Sequence, residues 1–178
     1  TETTSPTTII PINCNDPGDS VGLVVPCGKI TIVDENNEEV NQGKPGELWI
    51  KGPMVIPGYW KNEKATKSSF KDGYCKSGDI ASQDENGFIR IHDRKKDMIN
   101  RGGYKIFSAE IENILVLMEE IQEAALVPYP CTILGERSHA FVFSSSPTLE
   151  PNQIRSRLSE KVADYKVPDK ITITKEPL

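Results

Sequence analysis

Residues 87–112 constrain this chain more than any other stretch. They read Gly-Phe-Ile-Arg-Ile-His-Asp-Arg-Lys-Lys-Asp-Met-Ile-Asn-Arg-Gly-Gly-Tyr-Lys-Ile-Phe-Ser-Ala-Glu-Ile-Glu. A short alternating strand at residues 88–92 runs directly into Asp93-Arg94-Lys95-Lys96-Asp97. A second short apolar segment, the Gly102-Gly103 pair, another strand-like run and a helix starting near Ser108 follow. From Arg90 to Lys105 six Lys or Arg stand against two Asp, a local balance of +4 in a chain of net charge −5. A basic, glycine-punctuated elbow between two folded halves suits a hinge, an anion site, or both.

The pattern differs on the two sides of the elbow. Residues 1–20, rich in Thr, Pro, Asn and Asp, read as loop. Short strands follow at residues 21–25, 29–34, 47–51, 74–81 and 88–91, and a short polar helix is expected over 61–70. Turn signals separate them, including a hairpin of the Asn-Gly kind at Asp84-Glu85-Asn86-Gly87. Close-spaced strands of this sort predict an antiparallel sheet or a small distorted barrel.

Beyond Asp93, Met98-Ile99 and Tyr104-Lys105-Ile106-Phe107 flank Arg101-Gly102-Gly103 as a hairpin. Ser108 suits an N-cap, with Glu110 and Glu112 near the positive end of the helix. Ile111, Ile114, Leu115 and Met118 form one apolar stripe. Strands are expected at 123–127, 139–143 and 170–174. A helix is expected from Pro151, with Ile154, Leu158, Val162 and Tyr165 on its buried face, until Pro168 stops it. The fold class is therefore α+β. Residues 1–93 form an antiparallel, barrel-like subdomain, and residues 94–178 a small α+β domain with a three-stranded sheet, two helices and a hairpin.

Composition narrows the function. A hydrophobic fraction of 37% and a charged fraction of 26% suit a globular protein. No apolar run is long enough for a transmembrane segment. A pI of about 5.2 argues against nucleic-acid binding. The four cysteines, Cys14, Cys27, Cys75 and Cys131, have no metal-ligand spacing and read as reduced thiols of a cytoplasmic protein.

No nucleophile–base triad or phosphate-loop motif is present in the sequence. Asp79 follows Ser77-Gly78, where a glycine lets a ligand approach the backbone. Its carboxylate is either a strand-end acid or an acceptor for two sugar hydroxyls. Arg94 is either a salt-bridge partner of Asp93 or Asp97, or a ligand-binding cation. Gly102-Gly103 is either a hairpin turn or a surface for close ligand approach.

Taken in order, Thr-Glu-Thr-Thr at residues 1–4, Pro-Gly-Glu-Leu-Trp-Ile-Lys-Gly-Pro at 45–53, Gly58-Tyr59-Trp60 with Ala65-Thr66, Gly-Tyr-Cys-Lys-Ser-Gly-Asp at 73–79 and residues 84–106 with Glu110-Ile111-Glu112 closely resemble the adenylate-forming superfamily. The resemblance runs the whole length of the chain. Lys96-Asp97-Met98-Ile99 followed by Gly-Gly-Tyr is similar to acyl-CoA synthetases, and luciferases share that pattern. Peptide-synthetase adenylation domains tend to carry Gln-Val-Lys and an Arg-Ile-Glu run there instead.

The resemblance implies an enzyme that makes an acyl-adenylate from a carboxylate and Mg-ATP and passes the acyl group to coenzyme A. Its cofactors would be ATP, Mg²⁺ and CoA, and its partner a small-molecule carboxylate. Thr1 would contact the α-phosphate, and Glu2 would help hold Mg²⁺. Asp79 would bind the ribose hydroxyls, Arg94 would support the same ribose, and Ile91 would pack near the nucleotide. Lys96 would be the hinge about which a mobile C-terminal lid turns. Gly102, Gly103 and Tyr104 would line the path of the CoA thiol arm, with Lys95, Arg101 and Lys105 attracting its phosphates. Asn100 stands where some members carry a lysine, and Pro128-Tyr129 replaces a frequent Pro-Asp.

On the family pattern the catalytic lysine would follow Leu178, and the phosphate loop and acyl pocket would precede Thr1. The expectation is thus a C-terminal portion of a fatty or other carboxylic acid CoA ligase that is inactive alone. The alternative is a stand-alone, non-catalytic nucleotide- or CoA-binding module.

Overall fold

The computed structural model describes residues 1–14 and 18–178; residues 15–17, inside the expected N-terminal loop, lie outside the described residues. The chain divides into two compact units, Thr1–Lys95 and Lys96–Leu178.

The first unit is a curled antiparallel sheet with one short helix. Strand β1 (Thr8–Ile9) pairs with β2 (Leu23–Val24), so part of the expected N-terminal loop is strand. Strands β3 (Lys29–Val33) and β4 (Gly46–Lys51), helix α1 (Glu63–Ser69), and strands β5 (Phe70–Lys71), β6 (Tyr74–Gln83) and β7 (Ile89–Arg94) complete the unit. The main sheet runs β3-β4-β6-β5, with β7 also on β6. Central β4 is buried on both faces from Gly46 to Ile50. Leu48 and Ile50 join Ile32, Ala81 and Ile89 in the core. Trp49, on the opposite face, is 5% exposed beneath Lys71 and Lys76, while Trp60 is 89% exposed.

The turn at Asp84 is not the two-residue Asn-Gly type. Only Gly87 takes a positive φ (+87°) there, and the Asp84 side chain accepts the amides of Asn86 and Phe88 at 2.9 and 3.0 Å. A side-chain-capped loop fixes the same hairpin without two left-handed residues.

In the second unit, β8 (Ile99–Arg101) and β9 (Tyr104–Ile106) form a hairpin. Its two loop residues, Gly102 and Gly103, have φ of +61° and +91°, as the type I′ turn requires. Helix α2 (Ser108–Val116), strands β10 (Glu123–Cys131) and β11 (Gly135–Phe143), helix α3 (Pro151–Ser159) and strand β12 (Lys170–Thr174) follow. β11 lies between antiparallel β10 and parallel β12, and meets the hairpin at Gly135–Arg101. Ile111, Leu115, Ile154 and Leu158, all fully buried, pack the helices onto Leu126, Ala140 and Val142.

Three expectations are corrected. Ser108 is not the cap of α2: Phe107 holds that position without a side-chain bond, and Ser108 is drawn one place inward and buried. The helix from Pro151 ends at Ser159, so Val162 and Tyr165 reach the same core from a turn and a 3-10 segment, Asp164–Lys166. β10 continues through Pro128 and Pro130 to Cys131. An edge strand tolerates proline, and the two share one parity, where the missing N–H can face the open side.

Candidate functional site

The site of the first unit is made by an irregularity in β6. Between the pairs Glu47–Ile80 and Trp49–Lys76, β4 advances two residues and β6 four. Ser77-Gly78-Asp79 therefore buckles out of the ladder, as bulged strands do where a side chain must be re-aimed. Gly78 takes φ +74°, and a Cβ there would meet nothing within 4 Å, so its backbone conformation, not crowding, calls for glycine. The Asp79 amide donates to Ser77 Oγ at 3.0 Å, which fixes the buckle.

Asp79 faces Arg94 across β6 and β7, and Oδ1 lies 3.0 Å from Nη1. This replaces the expected Arg94 pairing with Asp93 or Asp97: the Arg94 backbone amide, not its guanidinium, donates to Asp93 Oδ1 at 2.7 Å. The Arg94 side chain stays 60% exposed.

A cleft of about 470 Å³ opens beside this pair, lined by Glu2, Tyr59, Ser69, Gly78, Arg94 and Lys95 among others. Asp79 does not line it but is tied to Arg94, which does. Glu2 Oε1 accepts the Tyr59 hydroxyl at 2.8 Å, and its carbonyl accepts the Ile56 amide at 3.0 Å. The bond from Tyr59, then that from its own backbone amide, holds the Glu2 carboxyl below the usual range. Cys75 lies buried at the cleft wall, and burial pushes its thiol up.

The structure thus brings Glu2, Asp79 and Arg94 into one region of the first unit. Thr1 is exposed and Ile91 is 41% exposed on β7, and neither lines the cleft. Lys95 does not stand ready for a remote phosphate. Its Nζ is 2.9 Å from Glu47 Oε2, whose side chain is only 9% exposed, and its amide donates to Gly78 O at 2.8 Å. Lys96, exposed in the turn that follows, is the first residue of the second unit.

In the second unit, Gly102, Gly103 and Tyr104 share the hairpin tip. Tyr104, 60% exposed, stacks on Tyr165 with ring centroids 4.8 Å apart. Arg101 is committed to Asp169, with Nε and Nη2 at 3.3 and 3.1 Å from its two oxygens. Asn100 Oδ1 accepts the Gly103 amide at 2.9 Å, a turn-stabilising task that suits asparagine.

A single carboxylate such as Glu2 fits the way Mg²⁺ is usually held, by one or two carboxylates together with substrate phosphates. Among the described residues there is no group of three or more His, Cys, Asp or Glu that could hold a metal by itself. Among them, too, no helix is long and apolar enough to cross a membrane. Tyr59 and Glu47 are partners that the sequence alone did not single out. The Gly58-Tyr59-Trp60 and Ala65-Thr66 spacing was the available signal for the first.

Residues 1–60 match the model of the AMP-binding enzyme family, and residues 110–178 that of the AMP-binding enzyme C-terminal domain. The chain belongs to this adenylate-forming superfamily and carries its C-terminal part. It is 40% identical over 149 residues to a long-chain-fatty-acid–CoA ligase of Yersinia pestis, covering 84% of this chain and 26% of that protein. It is 43% identical over 152 residues to pseudomonine synthase PmsE of Pseudomonas entomophila, covering 84% of this chain and 25% of that protein. The chain therefore spans about a quarter of the length of these relatives. ATP-bound MatB from Rhodopseudomonas palustris superposes with a TM-score of 0.87 at 30% identity, over 98% of this chain and 35% of that one. An o-succinylbenzoate CoA synthetase (MenE) from Bacillus subtilis, solved with ATP and magnesium, gives 0.81 at 28%, over 90% and 33%. A synthase matches about as well as a CoA ligase, so the likeness alone does not separate the two.

Proposed function

We propose that this chain serves an ATP-dependent carboxylic acid–CoA ligase whose acid is a fatty acid. The observation that carries the proposal is the buckled Ser77–Gly78–Asp79 segment, with Asp79 braced by Arg94 beside the Glu2 cleft. Asp79 accepts the two ribose hydroxyls of ATP, and Arg94 holds the carboxylate in the orientation to do so. Thr1 donates to the α-phosphate, Ile91 packs near the nucleotide, and Glu2 holds Mg²⁺ bound to the phosphates. The cation, when bound, offsets the charge that develops on the departing pyrophosphate.

The substrate carboxylate attacks the α-phosphorus, the bond to pyrophosphate breaks, and acyl-AMP forms. The thiolate of CoA then attacks the acyl carbon, and AMP leaves. Lys96 is the pivot between the two steps, with Lys95 clamped to Glu47 and Gly78 just before it. Gly102, Gly103 and Tyr104 flank the thiol arm, where two residues without side chains leave room for it. Supply of ATP and CoA and four free thiols suit a cytoplasmic setting.

The test is to incubate the protein that carries this chain with MgATP, CoA and carboxylic acids from acetate to oleate. Acyl-CoA and AMP are then quantified by mass spectrometry. The proposal expects both products with long-chain acids and at least tenfold less with Asp79→Ala. Formation of acyl-AMP that CoA does not discharge would favour a synthase acting on another acceptor, as the likeness to PmsE allows.

A further inference from the structure

We propose that Tyr59 is a positioning residue for Glu2, and that the segment from Gly58 to Thr66 exists to hold it there. The inference rests on the function proposed above, in which Glu2 meets a nucleotide-bound divalent cation. A carboxylate on a flexible side chain has two oxygens and free rotation about its last bonds. Tyr59 removes that freedom by donating its hydroxyl to Oε1 at 2.8 Å, which leaves Oε2, 3.6 Å from the Thr1 amino nitrogen, as the oxygen a cation would meet. The Glu2 backbone is pinned as well, through the Ile56 amide on its carbonyl at 3.0 Å and the neighbouring Thr4 hydroxyl on Met54 O at 3.0 Å.

Tyr59 is itself held through its backbone and its ring. Its backbone amide donates to Thr66 Oγ1 at 2.9 Å, and that hydroxyl donates to Asn62 O at 2.9 Å. Its ring meets Phe70 edge-on, with centroids 5.6 Å apart. Asn62 caps α1 by accepting the Ala65 amide at 3.0 Å, so the helix presents Thr66 to Tyr59 in a fixed place. Thr66 closes so tightly on Gly58 that a Cβ there would lie 2.5 Å from Thr66 Cγ2, and Gly58 adopts φ +154°. None of these residues enters the chemistry. Helix α1 buries no residue fully, and Ala65, Thr66 and Ser69 are half-buried. An outer partner of a metal-binding carboxylate fixes its orientation and typically governs metal affinity by one to two orders of magnitude.

The test uses the whole protein that carries this chain, with Mn²⁺ as the probe and a non-hydrolysable ATP analogue present. Free and bound Mn²⁺ are separated by electron paramagnetic resonance. Tyr59→Phe should weaken Mn²⁺ binding about tenfold. Its acid-dependent ATP–pyrophosphate exchange should need about tenfold more Mg²⁺ and recover at saturating Mg²⁺. Thr66→Val should shift both in the same direction and Thr66→Ser should restore them, which decides the matter if Tyr59→Phe fails to fold. Unchanged Mn²⁺ affinity in Tyr59→Phe and Thr66→Val overturns the inference, provided Glu2→Gln weakens it. If Glu2→Gln also leaves Mn²⁺ affinity unchanged, the metal-binding assignment of Glu2 falls, and with it the basis for a positioning role.

Discussion

Asp79 and Arg94 are joined across β6 and β7 by a 3.0 Å ion pair, yet the arginine side chain remains 60% exposed. A pair so open to water contributes little to stability, at most about 1 kcal/mol. Arg94→Ala should therefore leave the urea midpoint nearly unchanged while weakening ATP binding about tenfold in calorimetric titration. A clear loss of stability with unchanged ATP affinity would make the pair structural.

Gly78 offers a separate test of the buckle. Gly78→Ala should cost about 1 kcal/mol, because an L-residue at φ +74° is strained while its Cβ meets no atom. Gly43, at φ +79° and equally uncrowded, should show the same stability loss on Gly43→Ala. Only the Gly78 variant should also weaken ATP binding, as read by the same titration.

Asp169 makes the second unit acid-sensitive. Burial pushes its carboxyl up, but the Arg101 guanidinium foremost, then the Ser138 amide and Arg137, outweigh it and hold it below the usual range. A group whose folded-state value is depressed binds fewer protons folded than unfolded. Its stabilisation is thus complete above the ordinary aspartate value of about 4 and is lost as pH falls through the lower folded value. Asp169→Asn should flatten the fall in stability below about pH 4 in urea unfolding followed across pH. At neutral pH it should cost about 2 kcal/mol through the charge-assisted bonds to Arg101.

Leu158 is fully buried among Ile111, Leu115 and Ile154. Leu158→Ala should destabilise by about 2–5 kcal/mol in chemical denaturation, the usual cost of a cavity in such a core.

Much of this was legible in sequence because it depends on local pattern. The Gly102-Gly103 hairpin follows from two residues that accept positive φ, and the apolar stripe of α2 from period alone. The strands, hairpin and helices of the second unit, and the likeness to adenylate-forming enzymes, were legible for the same reason, whereas the pairing of the hairpin with β11 into one five-stranded sheet was not. What escaped depends on partners distant in the chain. Arg94 has Asp93 beside it, but sheet register gives it Asp79. Lys95 stands in a basic run, but Glu47, from another strand, takes its charge. Glu2 and Tyr59 are 57 positions apart, and only the loop through Ile56 brings them together. The stripe through Val162 and Tyr165 keeps helical spacing although the helix stops at Ser159. Burial selects the side chain, not the backbone that delivers it.

In the proposed function, Asp79 grips the ribose of ATP so that a carboxylic acid can be adenylated. The most direct measurement is acid-dependent exchange of labelled pyrophosphate into ATP by the protein that carries this chain, with and without Asp79→Ala. The account predicts exchange that requires a long-chain carboxylate and Mg²⁺ and falls at least tenfold in the variant through a raised KM for ATP. Exchange that is equally fast with Asp79→Ala, or ATP consumption that yields ADP instead of AMP, would contradict it.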